Sequence, residues 1–236
     1  MKNLPAQPNK SLIEGLEVLL ALVQRGESVG VRELARELGM TPTRLQRYVG
    51  TLAHLGFAAQ GEDRRYGPGA GVHVLSAMSL SASGLAGRAL EVLPSLNDLG
   101  VIVALGMLWR RTVSYVYFSR PGTPVARALG NDSGWPAKES VIGLLLLAHV
   151  PEAALQEDFP EEAEELGPIL AVTRSQGFAR LVNDKQEISL AVPVGSPPIA
   201  GLAVSGVRCG QDEEQILERL TQAAAALSGE KNGENR

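Results

Sequence analysis

The side chains best suited to chemistry cluster between Thr41 and Arg65. Thr41-Pro42-Thr43-Arg44-Leu45-Gln46-Arg47 interleaves hydroxyl, guanidinium and amide groups with one leucine, and Arg64-Arg65 follow a short polar stretch. Hydroxyls, amides and guanidinium forks bond phosphate oxygens and the edges of bases. Nothing comparable points to bond-breaking chemistry. The chain has no Gly-x-Ser-x-Gly elbow, phosphate-binding glycine loop, His-Glu-x-x-His or cysteine–histidine constellation, so no catalytic residue is expected. With one cysteine, Cys209, and three histidines, no metal site, disulfide framework or cofactor is expected, and a reducing cytoplasm fits.

Helices must position those side chains. Thr41 is a good N-cap and Pro42 a good first residue for a helix running to about Leu55. On it Leu45, Val49 and Leu52 share one face. Thr43 and Arg47 lie opposite, with Arg44 and Gln46 on the flanks. Upstream, Leu12, Leu16, Leu19, Leu20 and Val23 mark a helix capped by Ser11 and stopped by Gly26. Val31, Leu34, Ala35 and Leu38 mark a second, ended by Gly39. Phe57–Gln60 and Arg65–Tyr66 read as the strands of a hairpin, or wing, with Arg64 and Arg65 at or beside its tip, and Gly67-Pro68-Gly69 breaks the chain after it. This order is that of a winged helix-turn-helix. The expected DNA contacts are Thr41, Thr43, Arg44, Gln46, Arg47, Arg64 and Arg65.

Charge distribution agrees. The 236-residue chain has a net charge of −4. Residues 1–75 hold nine Lys and Arg against seven Asp and Glu, +2, and the remainder holds 13 against 19, −6. An acidic body with a mildly basic head suits a protein that touches phosphate at one end, although charge alone favours the plainer reading of a solvated charge mix. Hydrophobic residues make up 44% and aromatics 4%, so the core rests on Leu, Val, Ala and Ile. No apolar run approaches the ~18 residues of a membrane span. Met1–Lys10 lacks the apolar segment of a signal peptide, so no membrane partner is expected.

Gly71–Leu80 and Gly84–Leu99 read as helices broken around Ser81-Ala82-Ser83. The first either pairs subunits or packs on its own domain. From Val101 the period becomes two. Val101–Leu108 and Thr112–Phe118 read as strands joined at Trp109-Arg110-Arg111, Val125–Leu129 as a further strand, and Gly130–Gly134 as a loop. A buried helix over Glu139–His149 and helices over Pro151–Gln156 and Glu161–Gln176 follow, then a hairpin of Glu187–Val194 with Ile199–Val207 and a final helix capped by Asp212. This predicts an α+β fold with a mainly antiparallel sheet. A pocket is expected between the sheet and the helix beginning near Ser140. Lys138, Glu139, Ser140, Ser189 and Ser205 would be its polar groups, and Met107, Trp109 and Trp135 its apolar wall. Each has a plainer role as well: Ser140 as a cap, Ser189 and Ser205 as strand residues, Trp135 as core filling.

Ser11–Leu19, Val31–Met40, Leu45–Leu52 and Leu55-Gly56-Phe57 resemble the opening of the IclR family of transcriptional regulators, and Tyr66-Gly67-Pro68-Gly69 resembles the end of its wing. Trp135–Ala148, Ser175–Phe178, Ile188–Val194 and Leu202–Gly206 resemble effector-domain segments, so the likeness runs over about residues 11–228. It implies a winged helix-turn-helix over 1–70, a linker helix over 71–83, a GAF-like α/β effector and oligomerisation domain over 84–228, and a disordered tail over 229–236. It implies a homodimer or dimer of dimers, paired through the first helix and the linker helix, on double-stranded DNA carrying a palindromic operator. Repression in the cytoplasm, modulated by a small-molecule effector such as a carboxylate, is the expected function. The loop from Phe178 to Ser189 is about two residues shorter than the family pattern, and two further departures fall with it at the expected pocket: Lys138 replaces the family's usual histidine and Ser189 its usual cysteine. They motivate the alternative, a DNA-binding regulator whose C-terminal domain only dimerises.

Overall fold

The computed structural model describes residues 8–124, 127–129, 134–208 and 210–229. The chain divides into two compact units, Met1–Ala82 and Ser83–Arg236.

The first unit begins with α1 (Lys10–Arg25). Its cap is Asn9 rather than the expected Ser11: the Asn9 Oδ1 accepts from the Leu12 amide at 3.1 Å. Asparagine bonds a first-turn amide as serine does, and here it stands one residue before the helix. Gly26, at φ 68°, ends α1 in the left-handed region. Val29 then exchanges both backbone hydrogen bonds with Tyr66 at 2.8 Å. Helices α2 (Val31–Glu37) and α3 (Pro42–His54) follow, joined through left-handed Gly39. The wing is the antiparallel pair β1 (Ala58–Gln60) and β2 (Tyr66–Pro68). Gly67 and Pro68 do not break the chain; they extend β2, and Pro68 pairs at the outer end of the two-stranded ladder, where it loses no interior bond. Val18, Leu22, Leu34, Ala35, Leu45, Val49, Ala58 and Tyr66 close one core. Helix α4 (Ala70–Ser83) buries none of its residues. It runs through the three small residues expected to break it and stops at Gly84, whose φ of 62° only glycine adopts readily.

The second unit opens with α5 (Leu85–Val92), followed by a 3₁₀ segment, Leu93–Leu99, where one continuous helix was expected. Pro94 lacks the amide that α-helical continuation requires there. Strands β3 (Ile102–Trp109), β4 (Thr112–Ser119) and β5 (Trp135–Pro136) precede α6 (Val141–Leu147), α7 (Glu152–Asp158) and α8 (Ala163–Gln176). Then come β6 (Ala179–Val182), β7 (Glu187–Val194), β8 (Ala200–Arg208) and α9 (Glu213–Ser228), capped by Asp212 as expected. The six strands form one antiparallel sheet in the order β5-β4-β3-β8-β7-β6. The expected strand over Val125–Leu129 falls partly on residues outside the description; Leu129 makes one isolated bridge, to Tyr117. Of the expected loop over Gly130–Gly134, only Gly134 is described.

Side chains alternate between the two faces of the sheet. Val103, Leu105, Leu190, Val192, Leu202 and Val204 pack with α5 and α9. Ala104, Val113, Ala191 and Ala203 pack under α6 with Leu166 and Leu170 of α8. Helix α6 is buried along its whole length. Glycine permits its approach: a Cβ at Gly201 would stand 2.9 Å from Ile142 Cγ2, and one at Gly143 only 2.0 Å from the Ala137 carbonyl oxygen.

Candidate functional site

Helix α3 buries Leu45 and Val49 and exposes Thr43, Gln46 and Arg47. Thr41 is committed to capping, its Oγ1 accepting from the Arg44 amide at 3.3 Å. Each remaining candidate has a distinct setting. Arg47 stands exposed, and no side-chain hydrogen bond or ion pair holds it among the described residues. Gln46 Nε2 donates to the Tyr66 hydroxyl at 3.0 Å, tying the helix to the wing. Arg44 is not open on its flank: its Nη2 meets Glu14 Oε1 of α1 at 2.6 Å. The other Glu14 oxygen accepts from the Tyr48 hydroxyl at 2.5 Å.

The two wing arginines have different settings. Arg64 sits at the tip with φ 61°, exposed and unpaired through its side chain among the described residues. Arg65 braces the wing. Its Nε donates to the Ser28 carbonyl at 3.1 Å and its Nη2 meets Glu33 Oε2 at 3.4 Å. Glu33 also pairs with Arg25, whose Nη1 reaches Glu37 at 2.7 Å. Arg65 therefore belongs to a network joining α1, α2 and wing.

A recess between the start of α2, α3 and the wing gathers Arg32, Gln46, Gln60 and Arg64. Sequence reasoning missed Arg32, although the signal was there. With Val31, Leu34, Ala35 and Leu38 turned inward, Arg32 must face outward, and it is exposed. Glu14 gave no such signal, because its partner lies 30 positions away.

In the second unit the expected pocket residues separate. Ser140 is buried and caps α6: its Oγ accepts from the Gly143 amide at 3.3 Å and lies 3.4 Å from the Tyr115 hydroxyl. Ser189 and Ser205 share a hydrogen bond of 2.7 Å on directly paired strand positions. Strand alternation puts them on the α6 face with Ala191 and Ala203. Met107 and Trp109 do not join them. They alternate with Gly106 and Leu108 and so fall on the face of Val103 and Leu105, across the sheet from Ser140. Trp135 lies half-exposed on edge strand β5. Tyr115 and Phe118, with ring centroids 5.5 Å apart, pack on the α6 face instead.

Lys138 is exposed and engaged at 3.1 Å by Glu162 Oε1, which also takes Arg111 Nη2 at 2.7 Å. The hydrogen bond from Lys138, helped by the charges of both cations, holds the Glu162 carboxyl below the usual carboxylate range despite some desolvation. Glu139 is exposed. Among the described residues no cluster of His, Cys, Asp or Glu suits a metal ion, and no helix is long and apolar enough to cross a membrane.

A small helical core that turns a polar helix outward beside an arginine-tipped hairpin defines a winged helix-turn-helix, here followed by an α+β unit. Residues 11–62 match the IclR helix-turn-helix domain. The chain is 27% identical over 252 residues to the HTH-type transcriptional regulator KdgR of Dickeya chrysanthemi, spanning 94% of this chain and 80% of that one. Its fold is similar to that of an IclR family transcriptional regulator from Brucella abortus, with TM-score 0.75, 22% identity, and 97% and 94% of the two chains covered. A second similar structure, from Alicyclobacillus acidocaldarius, has TM-score 0.71, 22% identity, and 94% and 98% coverage. A third is an IclR homolog from Microbacterium hydrocarbonoxydans complexed with 4-hydroxybenzoate, with TM-score 0.65, 19% identity, and 91% and 97% coverage. Residues 11–62 thus carry an IclR-type helix-turn-helix, and over nearly its whole length the chain is similar to IclR family transcriptional regulators.

Proposed function

We propose that this protein is a cytoplasmic repressor that binds a palindromic operator as a homodimer or dimer of dimers and answers to a small-molecule effector. In this reading residues 1–70 are the DNA-binding head, 71–83 the linker helix and 84–228 the effector and oligomerisation domain. The N-terminal half of α3 enters the major groove, with Thr43, Gln46 and Arg47 toward the bases and phosphates. Arg64 reaches the adjacent phosphate or minor groove from the wing tip, and Arg32 a flanking phosphate. Arg65 acts by holding the wing in place. The observation that carries the reading is the exposed, unpaired Arg47 opposite the buried Leu45–Val49 side of α3.

Pairing of two chains is supported by apolar side chains left at the surface of α1 and α4. Leu12, Leu16, Val74, Leu75 and Met78 are all more than half exposed. Effector binding, with an organic carboxylate as the ligand class, is supported by hydroxyls and aromatic rings on the α6 face and by the 4-hydroxybenzoate bound to one relative. A second reading, in which the C-terminal unit only dimerises, draws on two satisfied contacts. Ser189 and Ser205 bond each other, and Lys138 is paired with Glu162.

The test starts from duplexes enriched out of a random pool by the full-length protein. A palindrome with half-sites about 10 base pairs apart, or a multiple of that, is expected. Arg47→Ala should weaken binding to it by roughly tenfold at fixed salt with the melting temperature unchanged. Unaltered affinity would overturn this placing of α3. Melting in the presence of 4-hydroxybenzoate and other organic carboxylates separates the two readings of the C-terminal unit: stabilisation supports the effector, and its absence across the panel supports the dimerisation reading.

A further inference from the structure

Two arginines on α3, three residues apart, have opposite electrostatic surroundings. Both border the same recess beside α1, with Leu12, Tyr48 and Leu55. Arg47 has no acidic partner among the described residues, whereas Arg44 is bonded to Glu14 at 2.6 Å. Glu14 is fixed on both sides. Its side chain is 19% exposed, one oxygen takes Arg44, and the other takes the Tyr48 hydroxyl at 2.5 Å. Arg44 stays 48% exposed, so its far edge remains open to solvent.

We propose that Glu14 determines DNA specificity by withholding Arg44 from phosphates of arbitrary sequence. The inference rests on the reading above, that α3 faces a duplex. Non-specific affinity comes almost wholly from cations that displace counterions along the phosphate backbone. Paired with Glu14, Arg44 contributes no net charge to that attraction. Arg47 and Arg64 remain free to engage the backbone. The protein therefore holds one cation fewer against random DNA than its surface arginines imply, and non-specific sequence, which vastly outnumbers any operator, competes less for it.

The substitution Glu14→Gln removes the charge and keeps an acceptor for the Tyr48 hydroxyl. The probe is a random-sequence duplex of about 30 base pairs, titrated with full-length protein across a salt series. Glu14→Gln should bind it about three- to tenfold more tightly near 0.1 M salt, with a slope of log K against log salt steeper by about 0.9. Arg44→Gln in the otherwise unaltered chain should leave the slope of log K against log salt unchanged, because the paired side chain neutralises no phosphate there, and in the Glu14→Gln background it should erase the gain. Arg44→Gln keeps the inference open to refutation even where Glu14→Gln folds poorly. An unchanged slope in Glu14→Gln, or a slope shallower by about 0.9 in Arg44→Gln alone, overturns the inference. Arg47→Ala run beside them separates the two levels. If it weakens binding while the Glu14 variant matches the original, only the inference falls; if it changes nothing, the placing of α3 falls with it.

Discussion

The Gln46 amide donates to the Tyr66 hydroxyl at 3.0 Å, so one hydrogen bond ties the outward flank of α3 to the first residue of β2. Tyr66 is 5% exposed and also exchanges backbone bonds with Val29. The angle between helix and wing is thus set from a buried phenol. Tyr66→Phe keeps the ring packing and deletes the hydroxyl. It should lower the unfolding free energy of the N-terminal unit by about 1 kcal/mol, the usual net value of such a bond. Gln46, freed of its partner, should also recognise its base pair less sharply. Urea unfolding and selection from a random duplex pool check the two effects. Full stability together with unaltered sequence preference would show that the bond does not orient Gln46.

The approach of α6 to the segment before it depends on one missing methyl group. A Cβ on Gly143 would lie 2.0 Å from the Ala137 carbonyl oxygen, and the atoms crowding it there are backbone or Cα atoms that cannot swing aside. Gly143→Ala should destabilise the C-terminal unit by about 3 kcal/mol or more, or prevent its folding. At Gly87, inside α5, a methyl group would meet no atom within 4 Å. Gly87→Ala should therefore do the reverse and raise stability by about 0.5–1 kcal/mol through helix propensity. Thermal unfolding of the pair checks the contrast in sign.

What the sequence makes legible follows from how local each cause is. The helices of the head were readable because cap, apolar period and terminating glycine lie within a few residues of each other, as at Thr41, Pro42 and Leu45–Leu52. The β7–β8 hairpin was readable from alternation around a short turn. Strands β5 and β6 were not: the two residues of Trp135–Pro136 and the four of Ala179–Val182 are too short for a period, and only pairing with β4 and β7 makes them strands. The site shows the same division. That Arg47 points outward is a property of one helix. That Arg44 is neutralised and Arg65 braces the wing depends on Glu14, Ser28 and Glu33, at least 30 residues away along the chain. Assigning Met107 and Trp109 to the wall around Ser140 failed because strand parity, fixed by the neighbouring Leu105 and Gly106, turns them to the other face.

Three carboxyls of the C-terminal unit are held below the usual range by arginine or lysine. Hydrogen bonding to Arg219 acts on Asp98, to Lys138 on Glu162 and to Arg180 on Glu213. A carboxyl whose folded pKa is lowered adds stability that is complete above its unfolded pKa and vanishes as pH falls through the lower folded value. The unit should therefore lose stability as pH drops below about 5, and continue to lose it toward about pH 3. All three groups are near solvent, so salt should blunt the effect. The urea midpoint, followed from neutral to acid pH, should flatten in the combined Asp98→Asn, Glu162→Gln, Glu213→Gln variant. An equally steep acid limb there would assign the loss to other groups.

Leu12 and Leu16, four residues apart on α1, are 60% and 51% exposed, an apolar stripe that a chain acting alone would leave in water. On α4, Val74, Leu75 and Met78 are exposed to 58%, 55% and 65%, and no residue of that helix is buried. A helix without a buried face draws no stability from packing, so α4 needs a partner surface to persist at its length. If these stripes join two chains, Leu12→Glu with Leu16→Glu should convert a dimer to a monomer in sedimentation equilibrium, because it introduces four carboxylates across a two-fold seam. Val18 and Leu22, the buried residues of α1, are untouched, so the head should keep its fold. The monomer should bind a single half-site weakly and lose the steep advantage of a palindrome, since tethering two heads multiplies their affinity by about 10² or more. A variant that stays dimeric and still prefers the palindrome would move the seam away from α1.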